Sequence, residues 1–181
     1  MITLSFESST AVNSGKRPFR VEFHSVTCTK FTTLFKHFIC EVRKVEDGEY
    51  VFNTMFEFSA QLPSDTEVEV LINIKTPKAR SVMKFLDIKL NICDVLTHVH
   101  SVPIIMKIVN SIIRGSNLPV SCPIEGNKMY NVTELKLSED IFPVYTPVMD
   151  FNCTGNYYAH KKLIGSYHLQ GITARRSKRN K

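Results

Sequence analysis

The sequence predicts an antiparallel β-sandwich with one amphipathic helix at about 102–114. Three observations carry this. Apolar and polar residues alternate over about seven or eight short segments, the two-residue period of a half-buried strand. Turn signals separate these segments at short intervals, and strand follows strand without the regular helical insertions of βαβ units. The period turns helical once: Ile104, Ile105, Ile108, Val109, Ile112 and Ile113 recur at helical spacing after Pro103.

Residues 1–19 are rich in Ser and Thr without a sustained period, and are read as a flexible lead-in to a domain over 20–173. Strands are predicted from Arg20 to Cys28 and from Phe38 to Val45. Asp47-Gly48 is a hairpin signal leading into Tyr50 to Leu62, where Phe52, Phe56 and Phe58 share a face. Val68, Val70, Ile72 and Ile74 form the clearest alternation, ended by Thr76-Pro77. The next strand opens at Val82 and runs to Cys93 through Leu86, Ile88, Leu90 and Ile92. Gly115 stands where a helix end takes a residue at positive φ, and Cys122-Pro123 returns within reach of Cys93. A Cys93–Cys122 bridge is therefore expected to pin the helix to a sheet. Tyr130 to Leu137 gives a further strand, a loop region with Pro143, Pro147 and Gly155 follows, and Leu163 to Ile172 is the last strand.

The 181 residues suffice for one domain with a real core, and the mean hydropathy of -0.07 is that of a globular chain. The net charge is +6, and five of those positive charges lie at Arg175, Arg176, Lys178, Arg179 and Lys181. Residues 174–181 are thus read as a basic, disordered tail, and a folded basic face for nucleic acid is not indicated. No stretch approaches the ~18 apolar residues of a transmembrane segment. The five cysteines lack CxxC spacing and the six histidines lack zinc-ligand spacing, so neither metal nor cofactor is expected. Cysteines beside strands, with glycosylation sequons at Asn131 and Asn152, point to a secretory route. Residues 1–19 lack the apolar run of a signal peptide, so the start is read as truncated.

Catalytic motifs such as GxSxG, HExxH and the Walker loop are missing from the sequence, and no enzyme is expected. His98 and His100 flank Val99 before the helix and are read as solvated loop histidines. Glu139-Asp140 reads as a solvated turn, and Cys153 as a free or intermolecular cysteine. What remains is apolar surface, in a chain with 12 Phe and no Trp. Those side chains either fill a core or line a cavity; the pattern demanded by the two is the same.

Val26-Thr27-Cys28, Phe38 to Val42, Asp87 to Leu96, the helix followed by Ser121-Cys122-Pro123, and Tyr130 to Thr133 resemble a family of secreted insect proteins of uncharacterised function. That family is expanded in flies and related to CheB-type chemosensory proteins and the ML lipid-recognition superfamily. The resemblance covers roughly 20–173. It implies an extracellular, immunoglobulin-like or ML-like sandwich stapled by Cys28–Cys40 and Cys93–Cys122, with an apolar cavity and a place in chemosensation. The chain departs from the family in the segment Pro143 to Tyr158, with its additional Cys153, and a long helix is not a feature of typical lipid-binding ML domains.

The function expected is non-enzymatic binding of a lipid or other apolar small ligand. Phe52, Phe56, Phe58, Val70, Ile72, Phe85 and Ile88 are the cavity candidates, with Ile105, Ile108 and Ile112 near the entrance. The alternative is a secreted interaction module with a filled core, contacting a receptor or another secreted protein.

Overall fold

The computed structural model describes residues 17–97 and 103–176. Strands β1 (Phe19–Lys30), β2 (Phe35–Glu46), β3 (Glu49–Phe58), β4 (Glu67–Lys75), β5 (Met83–Asn91), β6 (Met129–Leu137), β7 (Met149–Ala159) and β8 (Lys162–Arg175) form two antiparallel sheets. One has the order β1-β8-β7-β4-β5 and the other β2-β3-β6. This is a β-sandwich, as the alternation predicts. Between β5 and β6 lie a short helix α1 (Ile92–Leu96) and the amphipathic helix α2 (Pro103–Arg114). No helix among the described residues is long and apolar enough to cross a membrane.

Local chemistry explains most boundaries. Gly48 at φ 81 makes the β2–β3 turn, as Asp47-Gly48 signals. Asn91 ends β5 and starts α1, its side-chain carbonyl accepting from the N–H groups of Cys93 and Asp94 at 2.8 and 3.2 Å. That cap corrects the predicted strand: Ile92 and Cys93 belong to α1. Gly115 also differs from expectation, since it is not among the residues at positive φ. It permits close approach instead. A Cβ there would lie 3.1 Å from the Thr133 carbonyl oxygen, and the Gly115 carbonyl accepts from the Thr133 N–H at 2.9 Å.

The largest difference is β7. The segment read as a loop from its Pro143, Pro147 and Gly155 contains the central strand of the five-stranded sheet. Both prolines precede the strand, and Gly155 lies within it for a packing reason given below. The β7–β8 turn is made by His160 and Lys161 at φ 49 and 62, where a two-residue hairpin turn favours Asn-Gly. Asp65 holds this turn, accepting from the His160 N–H at 3.4 Å and lying 3.0 Å from its Nδ1. The first residues of the segment read as a basic tail are placed in the domain. Arg175 ends β8, and Arg176 pairs with Glu139 while its Nε–H donates to the Phe19 carbonyl at 3.2 Å. Glu139 is accordingly a half-buried ion-pair partner in a 3-10 turn (Glu139–Ile141) and not a solvated residue.

Two packed clusters hold the sheets together. At one end Phe19, Val21, Phe23, Tyr50, Leu137 and Phe151 are buried with their neighbours, and at the other Phe35, Phe58, Leu62, Leu96, Tyr130 and Ile164.

Candidate functional site, a cleft between the sheets

Cross-strand register identifies the faces of each sheet. Ile88, Val70, Gly155, Tyr167 and Cys28 stand side by side on β5, β4, β7, β8 and β1. In the other sheet Cys40, Thr54 and Val132 do the same on β2, β3 and β6. Cys28 and Cys40 are bonded, with Cα atoms 5.7 Å apart, so both rows face inward. The bond ties β1 to β2 where the sheets come closest. The opposite side, between β5 and β6, is where the chain inserts α1 and α2. Cys93–Cys122 closes that insertion, as the spacing of the two cysteines predicts.

Between the two clusters the inner faces are not sealed. Val68, Val70 and Ile72 on β4 and Leu86, Ile88 and Leu90 on β5 are half-buried, as are Cys153, Tyr157, Tyr167 and Leu169 on β7 and β8. Of these, Ile72 and Leu169 pack on the first cluster and Tyr157 on the second, and facing them Val42 and Phe52 pack on the first and Phe38 and Phe56 on the second. A filled sandwich buries inward positions this far from its ends. The inward residues outside both clusters, Val68, Val70, Leu86, Ile88, Leu90, Cys153 and Tyr167, mark a shallow cleft between the sheets, and a cavity of about 60 Å³ opens at the second cluster, lined by Phe56, Phe58, Ile92 and Tyr157 among others.

The walls hold few polar groups. Tyr130 is committed, its hydroxyl donating to the Glu125 carbonyl and accepting from the Glu125 N–H. Thr54 donates to the Ile39 carbonyl at 2.9 Å. Three groups are left. Tyr167 Oη and Cys153 Sγ lie 3.7 Å apart, and the Tyr157 ring centroid is 6.3 Å from that of Tyr167. Burial pushes the Tyr157 phenol up to about 12, with the neighbouring thiol adding to it. Burial likewise raises Tyr167 well above the ordinary phenol value, and raises the Cys153 thiol against the opposing Tyr167 hydrogen bond. These side chains are therefore deep enough to lose solvation. Gly155 makes room for Tyr167: a Cβ there would meet the ring at 2.1 Å.

The candidate residues distribute as follows. Phe56 and Phe58 line the cavity, Phe58 being fully buried. Phe52, Val70, Ile72 and Ile88 lie on the inner faces. Ile112 packs on the first cluster and Ile108 is half-buried on α2. The Ile105 side chain lies outside the described ones, as do His98 and His100. Phe85 requires correction. It is 56% exposed, because the β4–β5 register shifts between Ile72 and Asn73, which face Leu86 and Lys84, and Phe85 is left outside the inward row. Cys153 and Tyr157 were missed as wall residues because β7 was read as loop; the alternation of Phe151, Cys153, Gly155 and Tyr157 was the available signal, whereas Tyr167 stood on the predicted last strand without being singled out. Cys153 is unbonded and inward, so a bridge to another chain requires the sheets to open. Asn131 and Asn152 alternate with inward Tyr130, Val132, Phe151 and Cys153, which puts both on outer faces.

A wider groove of about 650 Å³ lies at the end of the sandwich, along Phe19, Pro77, Lys78, Pro147 and Arg175. It is open to solvent and borders the first cluster at Phe19.

No curated protein matches the chain. Residues 68–153, from β4 through both helices and β6 to the Cys153 of the cleft wall, match a family model described as a protein of unknown function (DUF1091).

Proposed function

We propose that this domain is a non-enzymatic binder of an apolar small molecule, a lipid or a compound of similar character, held between its sheets. The observation that carries the reading is the half-buried middle of both inner faces, flanked by packed clusters at each end. Binding works by burial, at roughly 25 cal/mol for each Å² of apolar surface removed from water. No metal or cofactor takes part. The two disulfides fit an oxidising compartment, and the outward sequons fit a secretory route, so the protein acts outside the cell in this reading. Kinship with CheB-type chemosensory proteins and the ML superfamily, and with it a chemosensory role, is part of the proposal and rests on the resemblance of the sequence.

One observation favours a second reading, an interaction module. Val82, Met83 and Phe85 are exposed on and beside β5, an edge strand, where a partner chain finds both apolar surface and unpaired backbone groups.

Native mass spectrometry of protein expressed through a secretory pathway, followed by organic extraction, separates the two. A lipid or hydrocarbon retained at near-stoichiometric level is the result expected. Protein at its apo mass that takes up no added apolar ligand refutes the cleft reading and leaves the module.

A further inference from the structure

The middle of the cleft carries no Asp, Glu, Lys, Arg or His among the described residues of its two walls. The cationic side chains nearest in register turn away at strand ends: Lys30 bonds the Lys36 carbonyl, Lys44 pairs with Asp47 and Lys84 with Asp87. A charged ligand group would therefore be desolvated there without a counter-ion, at a cost apolar contacts do not offset. A pure hydrocarbon, conversely, leaves hydroxyls facing it. Tyr157 lines the small cavity at the second cluster, and its hydroxyl has no hydrogen-bond partner among the described residues. Tyr167 has only the weak contact to the Cys153 sulfur.

We infer that the ligand is a neutral amphiphile, an apolar chain bearing one uncharged hydroxyl, ester or ketone, anchored at the hydroxyls of Tyr157 and Tyr167 beside Cys153. This rests on the ligand-binding reading above and narrows it. The tyrosines serve both ligand types, since a phenol donates to a carbonyl and either donates to or accepts from an alcohol. Their depth keeps them protonated at any physiological pH, so the anchor is neutral and does not titrate.

The test uses the full chain with both disulfides intact, titrated with the neutral probe N-phenyl-1-naphthylamine, which is then displaced by dodecane, dodecanol or dodecanoate at pH 8. The variants are Tyr157→Phe, Tyr167→Phe and their combination, which keep the rings and remove only the hydroxyls. Dodecanol is expected to lose about threefold to tenfold in affinity in the double variant, the worth of a hydrogen bond. Dodecane should bind the variant at least as well as it binds the wild type, and dodecanoate should be the weakest of the three in the wild type. Dodecanol binding the double variant as tightly as the wild type overturns the anchor, and so does dodecanoate binding tightest, a result that needs no variant. Failure of the probe and of dodecane to bind at all overturns the ligand-binding reading itself.

Discussion

Gly155→Ala tests the wall of the cleft directly. An alanine Cβ at this position would lie 2.1 Å from Tyr167 Cε1, 2.6 Å from Cζ and 2.7 Å from Cδ1, so the ring cannot stay where it is. The backbone does not object, because Gly155 is not among the residues at positive φ. Forcing a ring aside in a packed interior costs about 1–3 kcal/mol, and replacing Gly by Ala restricts the unfolded chain by about 0.4–1 kcal/mol in the other direction. The net loss is about 1–2 kcal/mol. For a chain of this size that lowers Tm by about 2–8 °C, read by circular dichroism with the disulfides intact.

Two comparisons make the number diagnostic. Gly126→Ala puts its Cβ 2.2 Å from the Ala60 carbonyl carbon, which is backbone and cannot swing away, so its loss is about 3 kcal/mol or more. Combining Gly155→Ala with Tyr167→Ala removes the collision, and the double-mutant cycle returns an interaction of about 1–2 kcal/mol. A Gly155→Ala protein that melts within 1 °C of wild type, or a cycle with no coupling, would mean that Tyr167 does not rest on Gly155, and the account of this wall would be wrong.

Other outcomes follow from the same geometry. Removing Cys93–Cys122, which spans 29 residues, should cost about 3.5 kcal/mol by loop entropy, and removing Cys28–Cys40, which spans 12, about 3 kcal/mol; urea titration of the paired alanine variants gives the order, and its reversal shows that the sheet-to-sheet staple acts through more than entropy. In a spectrophotometric pH titration, Tyr157 should ionise near pH 12, and Tyr167 well above the ordinary phenol value. Since burial raises these folded-state values above the ordinary 10, the phenols' contribution is intact below pH 10. It is lost as pH rises toward 12, so stability should fall across that window. If both phenols ionise near pH 10 in the native protein, they are not in the cleft wall. The Cys153 thiol, raised by burial, should react with Ellman's reagent far more slowly in the native than in the urea-unfolded chain, and more slowly again with probe bound. Equal rates would put it on the surface.

Legibility in the sequence followed the strength of local signals. Where a strand alternates cleanly and ends at a strong turn residue, as Val68 to Ile74 before Thr76-Pro77, its bounds were readable almost to the residue. The bridge Cys93–Cys122 was readable because the strand, the helix and the return each bore their own signature. β7 was not, for two physical reasons. Its hairpin uses His160-Lys161, residues that adopt positive φ only because Asp65 supports them from a distant loop. Its Gly155 resembles a breaker, but the small residue is demanded by a ring on the next strand. Phe85 failed for the opposite reason. Alternation placed it opposite to Leu86 and Ile88, and its aromatic character argued for the inside; the register shift gave the decision to alternation.

The distinction that matters for function, a filled core against a cleft, was not readable at all, and the structure shows why. Phe52, Phe56, Val70, Ile72 and Ile88 have the residue types of a core and are placed as core residues are. Whether they touch one another depends on the separation of the sheets, which distant parts of the chain set. On one side the Cys28–Cys40 bond holds β1 to β2. On the other the insertion between β5 and β6 contributes its apolar residues to the ends: Leu96 and Ile124 enter the second cluster, Ile112 packs on the first, and Leu118 reaches both. No described residue of the insertion is spent on sealing Val70, Ile88 and Tyr167 completely. A composition rule cannot capture this, because adding the same leucines and isoleucines one helical turn further along α2 would change the cavity and leave the sequence pattern intact. Evidence for a ligand in this fold must therefore come from the accessible surface that the inner residues retain, and that surface is where the binding measurements above are aimed.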